Sequence, residues 1–427
     1  MTNKAQHFIK PEQLCVGLYV HIDLGWMDHP FTFNNFKIKD QGQIDEIRKL
    51  GLDQVRYDPL RSDIEPLAFV ETPASERIDP VTPQTTPEED AEAAKLAFQQ
   101  RRLQEMHMAI RDCEKKFDDA SNAVRSIERE IHRNPTKTLN ESQQLVESMV
   151  DSLLSEGEIV LHAMQPKRGA IDQHNHALNV AVLALVLAKS LDMTYEDANQ
   201  LGVGAIFHDI GKFEIPDRIS KKTDPLSKAE ISLMQQHPAM GAKFATDIGM
   251  SAQIIQIILQ HHECMDGTGY PAGLKQDKID RLARIVAVAN LYDNLCNPLD
   301  TSKAMTPYEA LSHMFALQRS KYDPGILKLL IKNLGVYPPG SLVRLSDDIH
   351  GIVVSINPSK PLRPYVLLYS PDVPRETPLL IDLGEQAGLS ITHCLHSNQL
   401  PKEVLDYLRP AARISYFFDK EKPLPEQ

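Results

Sequence analysis

No stretch of this sequence stays apolar for long. The longest run, Val180 to Ala188, has nine residues. A helix crossing a bilayer needs roughly 20, so no membrane span is expected. The opening residues, MTNKAQHFIK, lack the apolar core of a secretory signal. Cysteine is scarce: five residues, at 15, 113, 264, 296 and 394, with no CxxC pair. An odd, scattered set argues against a disulfide framework and reads as reduced thiols in a cytoplasm. Cations are outnumbered too, 46 Lys and Arg against 58 Asp and Glu, for a net charge of −12. A nucleic-acid polymer or an anionic membrane surface selects basic patches, so neither is expected as a general partner. A small anionic ligand held by local metals and a few Lys or Arg remains compatible with that charge.

What the chain does have is length and pattern. Its 427 residues suit two or three domains, and 42% apolar with 24% charged residues is the balance of a soluble globular protein. Residues 1–60 alternate short β-like runs (CVGLYVHI, FTFNNFKI) with one helical stretch (QGQIDEIRKLG), predicting a small α+β domain. Residues 61–88 place Pro66, Pro73, Pro80, Pro83 and Pro87 among Thr, Ser and acids, a linker composition. Residues 89–165 are rich in Ala, Glu, Gln, Lys and Arg and break at Asn134-Pro135, predicting two helices as a connector. Irregular heptads favour a solvated hairpin there over a dimerising coiled coil, with a homodimer left open. Residues 166–335 form an apolar, helix-patterned block. Six of the 16 histidines fall between 174 and 262, which concentrates any histidine chemistry in it. After Pro338-Pro339-Gly340, period-two runs (SLVRLSD, GIVVSIN, YVLLYS) predict a β-rich extension over 336–427. The expected fold is multidomain α+β. An all-α core follows a small α+β N-terminal domain and a helical connector, and precedes a small β extension.

The histidines follow an order. His176 lies early in a helix whose apolar face continues through Val180 and Leu183. His208-Asp209 sits in GVGAIFHDIGK, an apolar helix expected to end near Gly211. His237 stands in MQQHPAMG, and His261 and His262 close the helix AQIIQIILQHH. Ile254 and Ile258 precede His262 by eight and four residues, so His262 is expected to prolong the buried stripe. A buried imidazole must find a partner. A lone one is usually satisfied by a hydrogen bond, and a structural zinc prefers closed coordination with cysteines. Five histidines and an Asp at apolar helix ends are hard to satisfy separately in one core. Nitrogen and oxygen ligands without thiolate suit Fe, Mn, Ni or Zn in an open catalytic site. More than four ligands imply two metals sharing a carboxylate, an arrangement that activates water and stabilises in-line phosphoryl displacement. Lys212 is expected on the same helix face as His208. It reads either as a cation for a phosphate oxygen or leaving group, or as a helix C-terminal cation favoured by the macrodipole.

The ordered set His176, His208-Asp209, Lys212, His237, His261-His262, then Glu263, Asp266, Gly267 and Gly269-Tyr270-Pro271, resembles the HD-GYP subclass of HD-domain phosphohydrolases over about 170–335. The elements HDIGK and HHECMDGTGYP carry the likeness. The stretch LCVGLYVHID with WMDHPFTFNNFKI is similar to the small domain of unknown function often found ahead of HD-GYP domains, and the β-patterned tail to the extension in the same proteins. The resemblance implies an all-α HD-type core and hydrolysis of cyclic di-GMP to pGpG and on to GMP by metal-activated water, in bacterial second-messenger signalling. It implies two divalent ions, Fe or Mn first, with Ni and Zn as alternatives. His176, His208, Asp209, His237, His261 and His262 would be ligands, with Asp209 bridging and Lys212 contacting the scissile phosphate. Family members with a third metal carry an acid four residues before the first histidine, and Asp172 fills that position. The Gly-Tyr-Pro loop (Asp266, Gly267, Gly269, Tyr270, Pro271) is linked in the family to substrate binding and to contacts with GGDEF-domain proteins. Gly267 and Gly269 permit turns, and Tyr270 is available to stack on a base or anchor the loop.

Three positions depart from the family pattern. Its last ligating acid comes in a stretch like ADVYDALTSxRPYR, and this chain reads AVANLYDNLCNPLDTSKA. Asn290 replaces the ligand Asp, and an amide carbonyl coordinates without bringing charge. Asp293, three residues on, is a substitute if the helix shifts. The two basic positions that hold a substrate phosphate fall at Leu299 and Ser302, leaving Lys303 nearby. Two further readings follow: a catalytically weakened module that binds cyclic dinucleotide, metal or a partner, and a phosphodiesterase for a mixed cyclic GMP-AMP dinucleotide.

Overall fold

The computed structural model describes residues 7–22, 35–52, 54–67, 87–154, 159–164, 175–357, 359–371, 373, 378–386, 388–410 and 413–420. The chain divides into two compact units, Met1–Glu89 and Asp90–Gln427.

The first unit is a sheet with one helix. Strands β1 (His7–Ile9), β2 (Tyr19–His21) and β3 (Asn35–Lys37) precede helix α1 (Gln41–Lys49), and β4 (Val55–Tyr57) follows it. All pairings are antiparallel, in the order β1-β4-β2-β3. Asp40 starts α1 by accepting the Gln43 amide at 3.0 Å, which satisfies one orphan donor of the first turn. Ile44 and Ile47, one turn apart, bury against Leu18, Val20 and Val55. That closed apolar cluster makes the sheet stable despite three-residue strands.

The second unit begins with α2 (Pro87–Glu130) and α3 (Pro135–Leu154), then strand β5 (Ile159–Met164). The helical core follows: α4 (Asn175–Ser190), α5 (Tyr195–Phe207), α6 (Asp217–Ser220), α7 (Lys228–Met234), α8 (His237–Asp247), α9 (Ala252–Gln260), α10 (Arg281–Cys296), α11 (Pro307–Leu317) and α12 (Pro324–Leu334). Helix α4 is buried on every side from Ala177 to Ala188, so the longest apolar run in the chain is the central helix of the core. The tail forms β6 (Leu342–Leu345), β7 (His350–Ser355), β8 (Tyr365–Leu368), β9 (Leu379–Asp382), β10 (Ile391–Leu395), a short α13 (Lys402–Leu408) and β11 (Ser415–Lys420). An all-α core with an α+β unit before it and strands after it is the expected fold class. No helix among the described residues is long and apolar enough to cross a membrane.

Two features differ from the sequence-based expectation. The helices at 89–165 are not a solvated hairpin. Phe117, Val124 and Ile127 of α2, and Val146, Val150 and Leu153 of α3, join the same buried cluster as α4 and α5. Their spacing of three, four and seven residues makes one apolar stripe per helix, and each large aliphatic contributes about 1.5–3 kcal/mol when buried. The last part of the expected connector is also a strand. β5 pairs antiparallel with β11 from Ile159↔Lys420 to Met164↔Ser415, and His162 pairs with Ser355 of β7. The tail sheet is thereby completed by residues that precede the helical core.

Candidate metal centre

Four helix ends converge on one carboxylate. Helix α5 is capped by Thr194, whose side chain accepts from the Asp197 amide at 3.1 Å, and it ends at Phe207 rather than near Gly211. His208 is its C-cap, and Asp209 leads into a tight turn over Ile210–Glu214. Lys212 therefore lies one turn beyond Asp209, with Nζ 2.5 Å from Asp209 Oδ2. A Cβ on Gly211 would stand 1.9 Å from the His237 carbonyl, so only glycine lets this turn abut the start of α8. That approach delivers His237. Helix α9 ends at Gln260, and His261, rather than His262, extends its buried face. His261 is 1% exposed, one turn after Ile257 and Ile258. His262 has left the helix and is half-buried. His176 sits in the first turn of α4.

The hydrogen bonds fix the tautomers. His208 Nδ1 lies 2.7 Å from the Ala205 carbonyl, His237 Nδ1 2.7 Å from Met234 O, and His261 Nδ1 2.8 Å from Ile258 O. A carbonyl only accepts, so each Nδ1 carries the proton and each Nε2 presents a lone pair. Burial pushes the His208 and His261 imidazoles below their usual range, which keeps them neutral. Those lone pairs face an anion. His176 Nε2 and His208 Nε2 are 3.6 and 3.4 Å from Asp209 Oδ2. His237 Nε2 and His261 Nε2 are 3.2 and 3.7 Å from Oδ1, and 3.2 Å from each other. Burial alone would raise the Asp209 carboxyl, but the Lys212 ammonium beside it lowers it well below the usual carboxylate range.

Two overlapping donor groups result: Asp209 with His237, His261 and His262, and Asp209 with His176 and His208. Buried His176 Nε2, His208 Nε2 and Asp209 Oδ1 have no hydrogen-bond partner among the described residues. The neutral imidazole nitrogens of His208 and His261, aimed at a carboxylate, repel it unless a cation lies between. The donor set therefore fits divalent ions, with one Asp209 oxygen turned to each group.

The loop after His262 is held from inside. Glu263, buried, accepts the amides of Ala272 at 2.7 Å and Leu274 at 2.8 Å. Asp266 accepts from Thr268 N at 2.9 Å, and Tyr270 N donates to His262 O at 3.1 Å. Gly269 leaves no room for a side chain, since a Cβ would meet Cys264 N at 2.3 Å. Tyr270 stacks on the His262 ring, centroids 4.6 Å apart and planes at 20°. Pro271 is exposed at the loop's rim, and Gly267 adopts φ +83°.

Helix α10 contributes differently from expectation. Asp293 Oδ2 lies 2.5 Å from His176 Nδ1 and orients that ring from behind, and Asn179 Nδ2 donates to Asp293 Oδ1 at 2.8 Å. Burial would lower His176, but the bond and charge of Asp293 outweigh it and raise its pKa. Asn290 is buried, and its carbonyl oxygen accepts from Asn294 Nδ2 at 2.6 Å. Lys303 is mostly exposed and pairs with Asp300 at 3.0 Å. Asp172 lies outside the described residues. Sequence reasoning missed Glu263 as loop anchor and Asn179 as a partner of Asp293. A lone Asn inside an apolar run, three residues after His176, was the available signal for the latter.

This core of helices around an HD pair, closed by a Gly-Tyr-Pro loop, agrees with the comparisons. A family model described as "HD domain" matches residues 136–326, and one described as a domain of unknown function (DUF3391) matches 7–156. The chain belongs to the HD-GYP class of the HD-domain family. Among its relatives is the "Cyclic di-GMP phosphodiesterase PA4108" of Pseudomonas aeruginosa, 30% identical over 361 residues, covering 84% of this chain and 83% of that protein. The "Cyclic di-GMP phosphodiesterase PdeB" of Borreliella burgdorferi is 28% identical over 201 residues, 47% of this chain and 53% of that one. A solved HD-GYP-type protein from Bdellovibrio bacteriovorus aligns at 18% identity and TM-score 0.43, over 76% of this chain and 98% of that one.

Proposed function

We propose that this chain is a metal-dependent phosphodiesterase that hydrolyses cyclic di-GMP to pGpG, and pGpG on to GMP. The observation that carries the reading is Asp209 with a pair of imidazole Nε2 atoms facing each of its oxygens. His176 and His208 would hold one ion, His237, His261 and His262 the other, and Asp209 would serve both. Imidazole and carboxylate ligation without thiolate suits Fe, Mn, Ni or Zn, and the likeness to HD-GYP proteins puts Fe or Mn first. Divalent ions so held supply an acidified water and offset the charge of a phosphodiester. Lys212, half-exposed beside Asp209, would offer its ammonium to a phosphate oxygen. Tyr270 keeps the His262 ring in plane. The exposed rim of its loop, Asp266, Thr268 and Pro271, is the surface for a GGDEF-domain partner. Cyclic di-GMP is a bacterial second messenger, and a cytoplasmic location follows from that substrate. The activities named for the relatives support the substrate.

The test is pGpG release by anaerobically purified protein loaded with Fe or Mn, run beside mixed cyclic GMP-AMP. Turnover of cyclic di-GMP is expected. No turnover with both ions bound overturns the proposal, and preference for the mixed dinucleotide replaces the substrate.

A further inference from the structure

Asn297 ends α10 and has no role in the donor set, yet it joins the metal centre to the C-terminal strand. Its Nδ2 donates to Asp293 Oδ1 at 2.8 Å and to the Ile414 carbonyl at 2.7 Å, and its Oδ1 accepts from Ile414 N at 2.7 Å. One side-chain amide thus pairs with both polar groups of a peptide, as a neighbouring strand would. Asn179 repeats half of the pattern, donating to Asp293 Oδ1 at 2.8 Å and to Ile414 O at 3.1 Å. Arg413 Nη1 adds a bond to Asn297 O at 3.1 Å. Asp293 Oδ1 is saturated by two amide donors, so the carboxylate cannot rotate and Oδ2 stays on His176 Nδ1. Asp293 and Asn179 are each 2% exposed, which leaves water no access to replace a lost donor. Ile414 in turn leads directly into β11, fixed along its length to β5.

We propose that Asn297 is a positioning residue: through Asp293 it ties the ion at His176 and His208 to the C-terminal strand, while the ion at His237, His261 and His262 is independent of it. The inference rests on the two-ion reading above. A residue that merely fastened the strand would change thermal stability and leave both ions alone. Partners beyond the first ligand shell typically govern metal affinity by 10- to 100-fold.

The experiment uses the full chain with Asn297→Ala and Asn297→Asp. The Asp variant keeps the acceptor for Ile414 N but replaces the donor to Asp293 with a carboxylate, and it covers the case in which the Ala variant does not fold. Bound Mn is titrated by electron paramagnetic resonance and counted by mass spectrometry, and melting is followed without metal. Wild type is expected to bind two ions. Each folded variant should keep one at wild-type affinity and bind the second about tenfold or more weakly. A folded variant binding both ions as wild type does overturns the proposal. Fewer than two ions in wild type itself removes the two-ion reading and this inference with it.

Discussion

The two sides of Asp209 are built by different means. Facing Oδ1, His237 and His261 each spend Nδ1 on the carbonyl three residues earlier, so their tautomers are set within one turn of chain. Facing Oδ2, His208 is held the same way, but His176 depends on Asp293, 117 positions away, and on contacts reaching Ile414. One side is a local property of helix ends. The other exists only once distant segments have met. A local site tolerates change elsewhere in the fold, whereas a non-local one inherits the stability of everything that supports it.

The largest break in this comparison is Asp209→Ala, which removes the shared group. Both ions should be lost by metal analysis, and pGpG release should fall about 10³-fold or more. Lys212→Met should lower kcat about 10²-fold with two ions still bound, because it removes a phosphate contact and no ligand. Loss of an ion in that variant would assign Lys212 to holding Asp209 instead. Asp293→Ala separates the two sides directly. Affinity for one ion should drop about 10- to 100-fold while the other is unchanged, as seen in a two-site Mn titration. Tyr270→Ala removes a stack worth about 0.5–1.5 kcal/mol, so the ion at His262 should weaken less than about tenfold. Asn290→Asp is the finest probe. Metal affinity rises if residue 290 ligates, and unchanged metal content removes it from the ligand set.

How much of this was legible in the sequence follows the same division. The order from His176 to Tyr270 and the apolar periodicity around it gave the helical core and the members of the cluster, because helix ends and stripes are local patterns. Helix boundaries were off by two to four residues, since the tight turn after Asp209 and the exit at Gln260 are decided by packing against α8 and by Gly211. The role of α10 was not legible. Asp293 reads as a spare ligand until His176 is seen in front of it. The stripe on α3 was hidden by a composition that is mostly polar, and β5 by its distance from β11. Pairing between residues 159 and 420 leaves no trace in any local window.

That pairing has a consequence for the newly made protein. Chains emerge from the ribosome from the N-terminus, and domains fold as units. The bonds that set the His237 and His261 tautomers lie wholly before residue 262. The support behind His176 arrives only with Ile414, and the strand that carries it is complete only at residue 420. In a chain still being made, the support behind His176 is therefore the last of the cluster's contacts to become available, some 150 residues after His262.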